Sequence, residues 1–288
     1  MEELRFGGAP LEAVILPQLG ARLHRLRAFG HDLLRTPEDP RTHAAEPYFW
    51  GAYVMAPWCN RIAPDPIVVE GRTVRLEPSF PDGSAIHGQV SHRPWSRDPD
   101  GTLRASGGGD GWPWPYEVVA RVAVDGAALT LDYRLANRSD GVMPAGIGLH
   151  PWFRRPVEVR VDASLAYAAN AGSPAAPVPV DGDLDLRGLG TPAPDLDATW
   201  VDPAPPAVEL AWPELGIRCT IEADAPRVLV AVATPRTLDA TAVEPQTHGP
   251  DALRRLVRGE PDGLTLLSPG DALGLVVRVT VERVSLGR

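Results

Sequence analysis

Lysine is absent from the 288 residues, so the 28 Lys-plus-Arg positions are all arginine. Schiff-base and lysine-nucleophile chemistry are thereby excluded. Cysteine occurs only as Cys59 and Cys219, too few for a disulfide framework in a chain of this size. No run of 18 apolar residues is present, so no helical membrane span is expected. The opening MEELRFGGAP carries two glutamates and no apolar core, so no secretory leader is expected. Positive charge is in deficit, with a net charge of −9, which disfavours nucleic acid or an anionic membrane as partner. These absences together point to a cytoplasmic protein.

Several motifs are missing as well. There is no H-x-H, H-E-x-x-H or paired C-x-x-C, no G-x-S-x-G elbow, no P-loop, and no dinucleotide fingerprint leading into a helix. His87 and His92 are five apart, and on a regular strand an odd offset puts them on opposite faces. Neither a metal nor a cofactor is expected.

Turn formers are plentiful: 28 glycines and 32 prolines without a repeat period. They favour many short strands over long helices. Leu129, Leu131, Tyr133 and Leu135 alternate with polar residues, and Asp125-Gly126 separates them from VVARVAV, a hairpin signal. Val157, Val159 and Val161 alternate likewise, as do Val277, Val279 and Val281. IRCTIE (217–222) and RVLVAVAT (227–234) read as strands, the second more buried. One short helix is predicted over 250–257, with Pro250 and Asp251 at its start. The proline-rich stretches 170–183 and 191–207 read as long surface connections. The expected architecture is all-β: a large antiparallel β-sandwich, one domain over 1–288, with only short helices.

Four stretches combine polar or titratable residues with glycine, proline and aromatics: APWCNRIAP, AIHGQV, GLHPWF and AVEPQTHGPDA. Glu244 ends a long apolar run and is stiffened by Pro245; it reads as a catalytic carboxylate or as a surface glutamate at a strand exit. His87 precedes Gly88, which lets backbone or ligand approach closely, and the alternative is a satisfied core histidine. His150 sits before Pro151, Trp152 and Phe153 and carries the same two readings. Asn60-Arg61 lies in an apolar segment, so Arg61 needs a carboxylate or a polar ligand. The eight tryptophans suit core packing, and an indole face also suits a sugar ring.

In order along the chain, PWCNRI, His87-Gly88, His150 to Phe153, Leu196-Asp197 with Trp200, and Glu244 to Thr247 resemble the aldose 1-epimerase (galactose mutarotase) family. The resemblance spans roughly Gly51 to Ala252. It departs from the family pattern at Arg154-Arg155, at APDPIVV after Asn-Arg-Ile, and at LEPSFPDG, which lacks a usual asparagine.

The resemblance implies a galactose mutarotase-like supersandwich that interconverts the α and β anomers of a free aldose by acid–base ring opening. It implies Glu244 as base, His150 as acid, and His87 as a stabiliser of developing charge. Arg61, Asn60, Asp197 and Trp152 would bind the sugar, and Gln246 would bind it or orient the glutamate. The partner would be a small sugar, and the chain a monomer or a weak homodimer. Two rivals on the same fold remain open: a hexose-6-phosphate mutarotase, for which Arg154 and Arg155 are candidate phosphate ligands, and a non-catalytic carbohydrate-binding protein. Burial lowers a histidine pKa and a neighbouring carboxylate raises it, so His150 is open in either direction.

Overall fold

Two large antiparallel sheets face each other across an apolar core. The structure is a computed structural model that describes residues 1–170 and 176–285. The eleven-stranded sheet runs Leu4–Gly8, Leu11–Leu16, Arg22–Ala28, Ala52–Met55, Gly148–Arg154, Ala240–Gln246, Leu229–Ala233, Asp197–Val201, Leu165–Tyr167 and Val178–Pro179, with His31–Asp32 paired to Arg22–Ala28. The eight-stranded sheet runs Ser96–Arg97, Leu103–Gly109, Trp112–Asp125, Ala128–Asn137, Ala272–Arg283, Ile217–Asp224, Val208–Trp212 and Glu158–Arg160. This is the β-sandwich expected from the alternating runs.

The alternating residues explain the core. Leu131, Ile221, Val277 and Val279 point inward from the second sheet. They meet Leu149, Pro151, Phe153 and Pro245 from the first. Because side chains alternate across a strand, Leu149, Pro151 and Phe153 in the core force His150 and Trp152 to the opposite face. A cavity lined by His150 and Trp152 opens on that face of the first sheet.

The predicted hairpin pairs Asp125 with Ala128, and Gly126 opens the two-residue loop with φ +56. The predicted helix spans Ala252–Arg258 and begins two residues late, because Asp251 adopts left-handed φ +53 and ends the extended approach there. Sequence periodicity gave no sign of the four-residue helix Thr42–Ala45, which is shorter than two turns. The stretch 191–207 is not merely a connection. It holds the strand Asp197–Val201, whose alternation is hidden between prolines, and Trp200 there is fully buried. Within 170–183, residues 171–175 lie outside the described residues, and Val178–Pro179 is an edge strand. No described helix is long and apolar enough to cross a membrane.

Candidate active site

The sheet register lays one row of side chains across adjacent strands. Tyr53 pairs with His150, and Ala231 pairs with Glu244. Gly148↔Gln246 and Trp152↔Ala242 set the register between the two central strands, which places His150 directly opposite Glu244. No ladder pairing joins these strands between those two points. Pro151 and Pro245 fall there, and neither has an N–H to donate. Cross-strand neighbours sit side by side, and His150 Nε2 lies 3.1 Å from Glu244 Oε1, both side chains about 5% exposed. Tyr53 stacks on the other face of the His150 ring at 4.6 Å, and Trp152 leans on it at 5.0 Å. A second row on the same face pairs Trp152 with Ala242, Ala242 with Ala233, and Ala233 with Asp197. The small alanine leaves room, and a cavity of about 240 Å³ opens above these rows.

His87 completes the floor. Its ring meets His150 edge-on at 4.8 Å. The Asn60 backbone N–H donates to His87 Nδ1 at 3.2 Å. That fixes the tautomer of the neutral ring, leaving Nε2–H as a donor. His87 and Gly88 both have positive φ, +59 and +73. A Cβ on Gly88 would lie 2.1 Å from the Ala56 carbonyl oxygen, so the close approach allowed by this glycine is to backbone. Gly88→Ala is expected to cost about 3 kcal/mol or more, because left-handed strain adds to a backbone clash. Urea unfolding of wild type and variant measures this, and a difference below about 1 kcal/mol would contradict it.

Arg61 spans the rim. Its Nε donates to Asp82 Oδ2 at 2.8 Å, and an NH1 nitrogen lies 3.5 Å from Asp197 Oδ2. Asn60 Oδ1 accepts from the Arg61 N–H at 2.8 Å, which turns this left-handed residue back on its neighbour. Asp197 Oδ1 accepts from Asn170 Nδ2 at 2.7 Å. Asn60, Arg61, His87, His150, Trp152, Asp197 and Glu244 all line the cavity. Gln246 does not. It is fully buried, and its Nε2 donates to the His248 carbonyl at 2.9 Å. Arg154 and Arg155 also lie outside the cavity, where the Arg155 guanidinium is held by Thr241 Oγ1 and the carbonyls of Pro235 and Leu238.

Burial dominates the electrostatics. It pushes the His150 ring down to about 3 and His87 well below the usual imidazole range. It raises the Glu244 carboxyl well above the carboxylate range, with Asp197 adding to the rise and Arg61 opposing it. At His150 desolvation dominates, with the charges of Arg22 and Arg61 lowering it further. These opposite directions favour the pair's proton on Glu244 rather than on the His150 imidazole.

His87, His150 and Glu244 offer donor atoms within 4.8 Å of one another. Two imidazoles and a carboxylate are a plausible zinc set by composition. The His87 tautomer opposes it. Nδ1 is taken by the Asn60 N–H, and Nε2 then carries hydrogen where a metal needs a bare nitrogen.

Sequence reasoning missed Tyr48, Tyr53, Phe80, Asp82 and Asn170. Tyr53 was hidden because AYVM is apolar throughout and buried on both faces, so no alternation marks its facing side. Tyr48, Phe80, Asp82 and Asn170 lie outside the regular strands, where no period marks a facing side.

A family model described as aldose 1-epimerase matches residues 8–175. No curated protein matches the chain by sequence. Among solved structures, a protein of Escherichia coli K12, provisionally named an aldose 1-epimerase, superposes with TM-score 0.81 at 18% identity, covering 98% of this chain and 99% of that one. A GalM/aldose epimerase homologue from C. elegans gives 0.80 at 16% identity, covering 99% of each chain. Galactose 1-epimerase from Lactobacillus acidophilus NCFM gives 0.77 at 16% identity, over 98% of this chain and 95% of that one. At such identities the likeness establishes the fold.

Proposed function

The chain belongs to the aldose 1-epimerase family, and from that premise we propose that it interconverts the α and β anomers of a free aldose. The observation that carries the reading is the His150–Glu244 contact at 3.1 Å on the cavity floor. Such a pair can take one proton and give another at the same hemiacetal. A single proton crossing that contact turns neutral His150 and protonated Glu244 into imidazolium and carboxylate, with no change in total charge. The carboxylate then removes the proton from the C1 hydroxyl while His150 protonates the ring oxygen. The C1–O5 bond breaks, the C1–C2 bond rotates, and closure on the other face reverses both transfers. His87 Nε2–H donates to the oxygen on which charge develops. Arg61, Asn60 and Asp197 hold ring hydroxyls, and Trp152 offers an apolar face.

The sugar is unphosphorylated in this reading. A phosphate needs cationic charge that is not already spoken for. Arg61 already pairs with Asp82 and Asp197, Asp195 also lines the cavity, and Arg154 and Arg155 lie outside it. The test is to dissolve crystalline α-D-glucose and α-D-galactose separately and follow optical rotation against a protein-free control. Acceleration is expected with at least one of them, and glucose 6-phosphate in tenfold excess should not suppress it. Strong inhibition or faster exchange with the phosphate ester would move the assignment to phosphorylated sugars. Sugar binding without acceleration would make the chain a binding protein.

A further inference from the structure

Arg22 lies on the strand Arg22–Ala28, on the far side of Tyr53 from His150. It is 1% exposed. Its two NH groups donate at 2.8 Å to the carbonyls of Trp50 and Pro47. Its Nε has no partner among the described residues, and no described carboxylate pairs with it. An uncompensated buried guanidinium is costly and calls for a reason.

Two observations supply one. The first is the segment it grips. Pro47 and Trp50 carbonyls accept from Arg22, the Tyr48 carbonyl accepts from Trp152 Nε1 at 2.6 Å, and the Phe49 carbonyl accepts from Arg35 at 2.7 Å. Four successive carbonyls are thus each held by a side chain, and this segment presents Tyr48 and Phe49 to the cavity. The second is the line of stacked groups. The guanidinium carbon lies 4.6 Å from the Tyr53 ring centre, and that ring lies 4.6 Å from His150.

We propose that Arg22 is a positioning residue of the epimerase site: its fork fixes the aromatic wall, and its charge, carried past the Tyr53 ring, keeps the shared proton of the His150–Glu244 pair off His150. The role rests on the epimerase reading. Once protonated by Glu244, a His150 so placed is the stronger acid toward the ring oxygen. The other groups facing His150 are Glu244, His87, Tyr53 and Arg61. Those facing Arg22 are Tyr53, His24, His43 and His92. Burial lowers the pKa of all three of these histidines, to about 2 for His43 and about 4 for His92. They are neutral near pH 7, and Arg22, lowered only to about 10, stays charged.

Two variants separate the parts of the role. Arg22→Gln keeps one amide donor but removes the charge and the fork. Arg22→Lys keeps charge and loses the fork. Each is first checked by thermal unfolding. The His150 ring is then titrated without sugar, using ¹⁵N-histidine NMR assigned by comparison with His150→Asn. A charge at this spacing moves a buried neighbour by roughly one pKa unit. His150 in Arg22→Gln is therefore expected to titrate that much higher, and in Arg22→Lys to stay at the wild-type value. The KM of both should rise roughly fivefold, as for one lost hydrogen bond. Wild-type titration in Arg22→Gln, or the same altered titration in both variants, overturns the proposal. If Arg22→Gln does not fold, Arg22→Lys decides alone: wild-type titration with raised KM supports it, and an unchanged KM or a shifted titration overturns it. If wild type fails to accelerate anomer exchange, the epimerase reading falls, while the sugar-free titration still reports on the charge of Arg22.

Discussion

Replacing Glu244 by glutamine is expected to slow anomer exchange by roughly 10³–10⁴-fold while sugar affinity stays within about threefold. The amide matches the carboxyl in shape and can still contact His150 Nε2, so the floor of the cavity keeps its form. In the proposed mechanism, what is lost is the proton shuttle, which takes the C1 hydroxyl proton and returns it to the opposite face. An amide does neither. Polarimetry at saturating sugar measures the loss, and saturation-transfer NMR on the same sugar measures the binding. A variant retaining more than a tenth of wild-type turnover would remove Glu244 from the base role.

His150→Asn is the second large effect, expected at roughly 10²–10⁴-fold in kcat. Asparagine can hydrogen-bond the ring oxygen but cannot protonate it. The pH profile of the wild type carries the same argument. The working pair holds one proton. A second proton enters only as pH falls toward the His150 value of about 3, so the acid limb lies there. The last proton leaves at the raised Glu244 value, so the alkaline limb lies well above the usual carboxylate range. Activity is expected to be flat across the interval and to fall on both sides. An acid limb near 6.5 in kcat/KM would show that burial does not control His150.

His150 is held by rings more than by hydrogen bonds. Its Nδ1 has no partner among the described residues, while Tyr53 and Trp152 flank it. In a serine-hydrolase triad a carboxylate orients the histidine. Here the stacking does so, which leaves the ring free to exchange a proton with Glu244 alone.

Much of the sandwich was legible in the sequence, because period-two alternation marks a strand with two different faces. Ala128–Asn137, Ile217–Asp224 and Ala272–Arg283 follow directly from it. Asp197–Val201 did not, since flanking prolines masked a five-residue strand of which the sheet buries four. The histidine and glutamate segments stood out by composition. Their convergence did not, because register between strands about 90 residues apart is set by pairing, which no local pattern records. Gln246 shows the limit well. It shares strand parity with Glu244 and sits two residues away, yet its amide turns to His248 and it does not reach the cavity. Arg61 combined both of its sequence readings, a structural ion pair and a cavity-lining group at once.

The pinned carbonyls from Pro47 to Trp50 bear on the thermodynamics of encounter. A wall that must order itself around a ligand gives up conformational entropy at the moment of binding. With each of its carbonyls already held, that ordering is completed during folding. A small, flexible, strongly hydrated ligand offers little apolar area to offset further losses. For such a ligand, a preformed wall lowers the cost of each encounter.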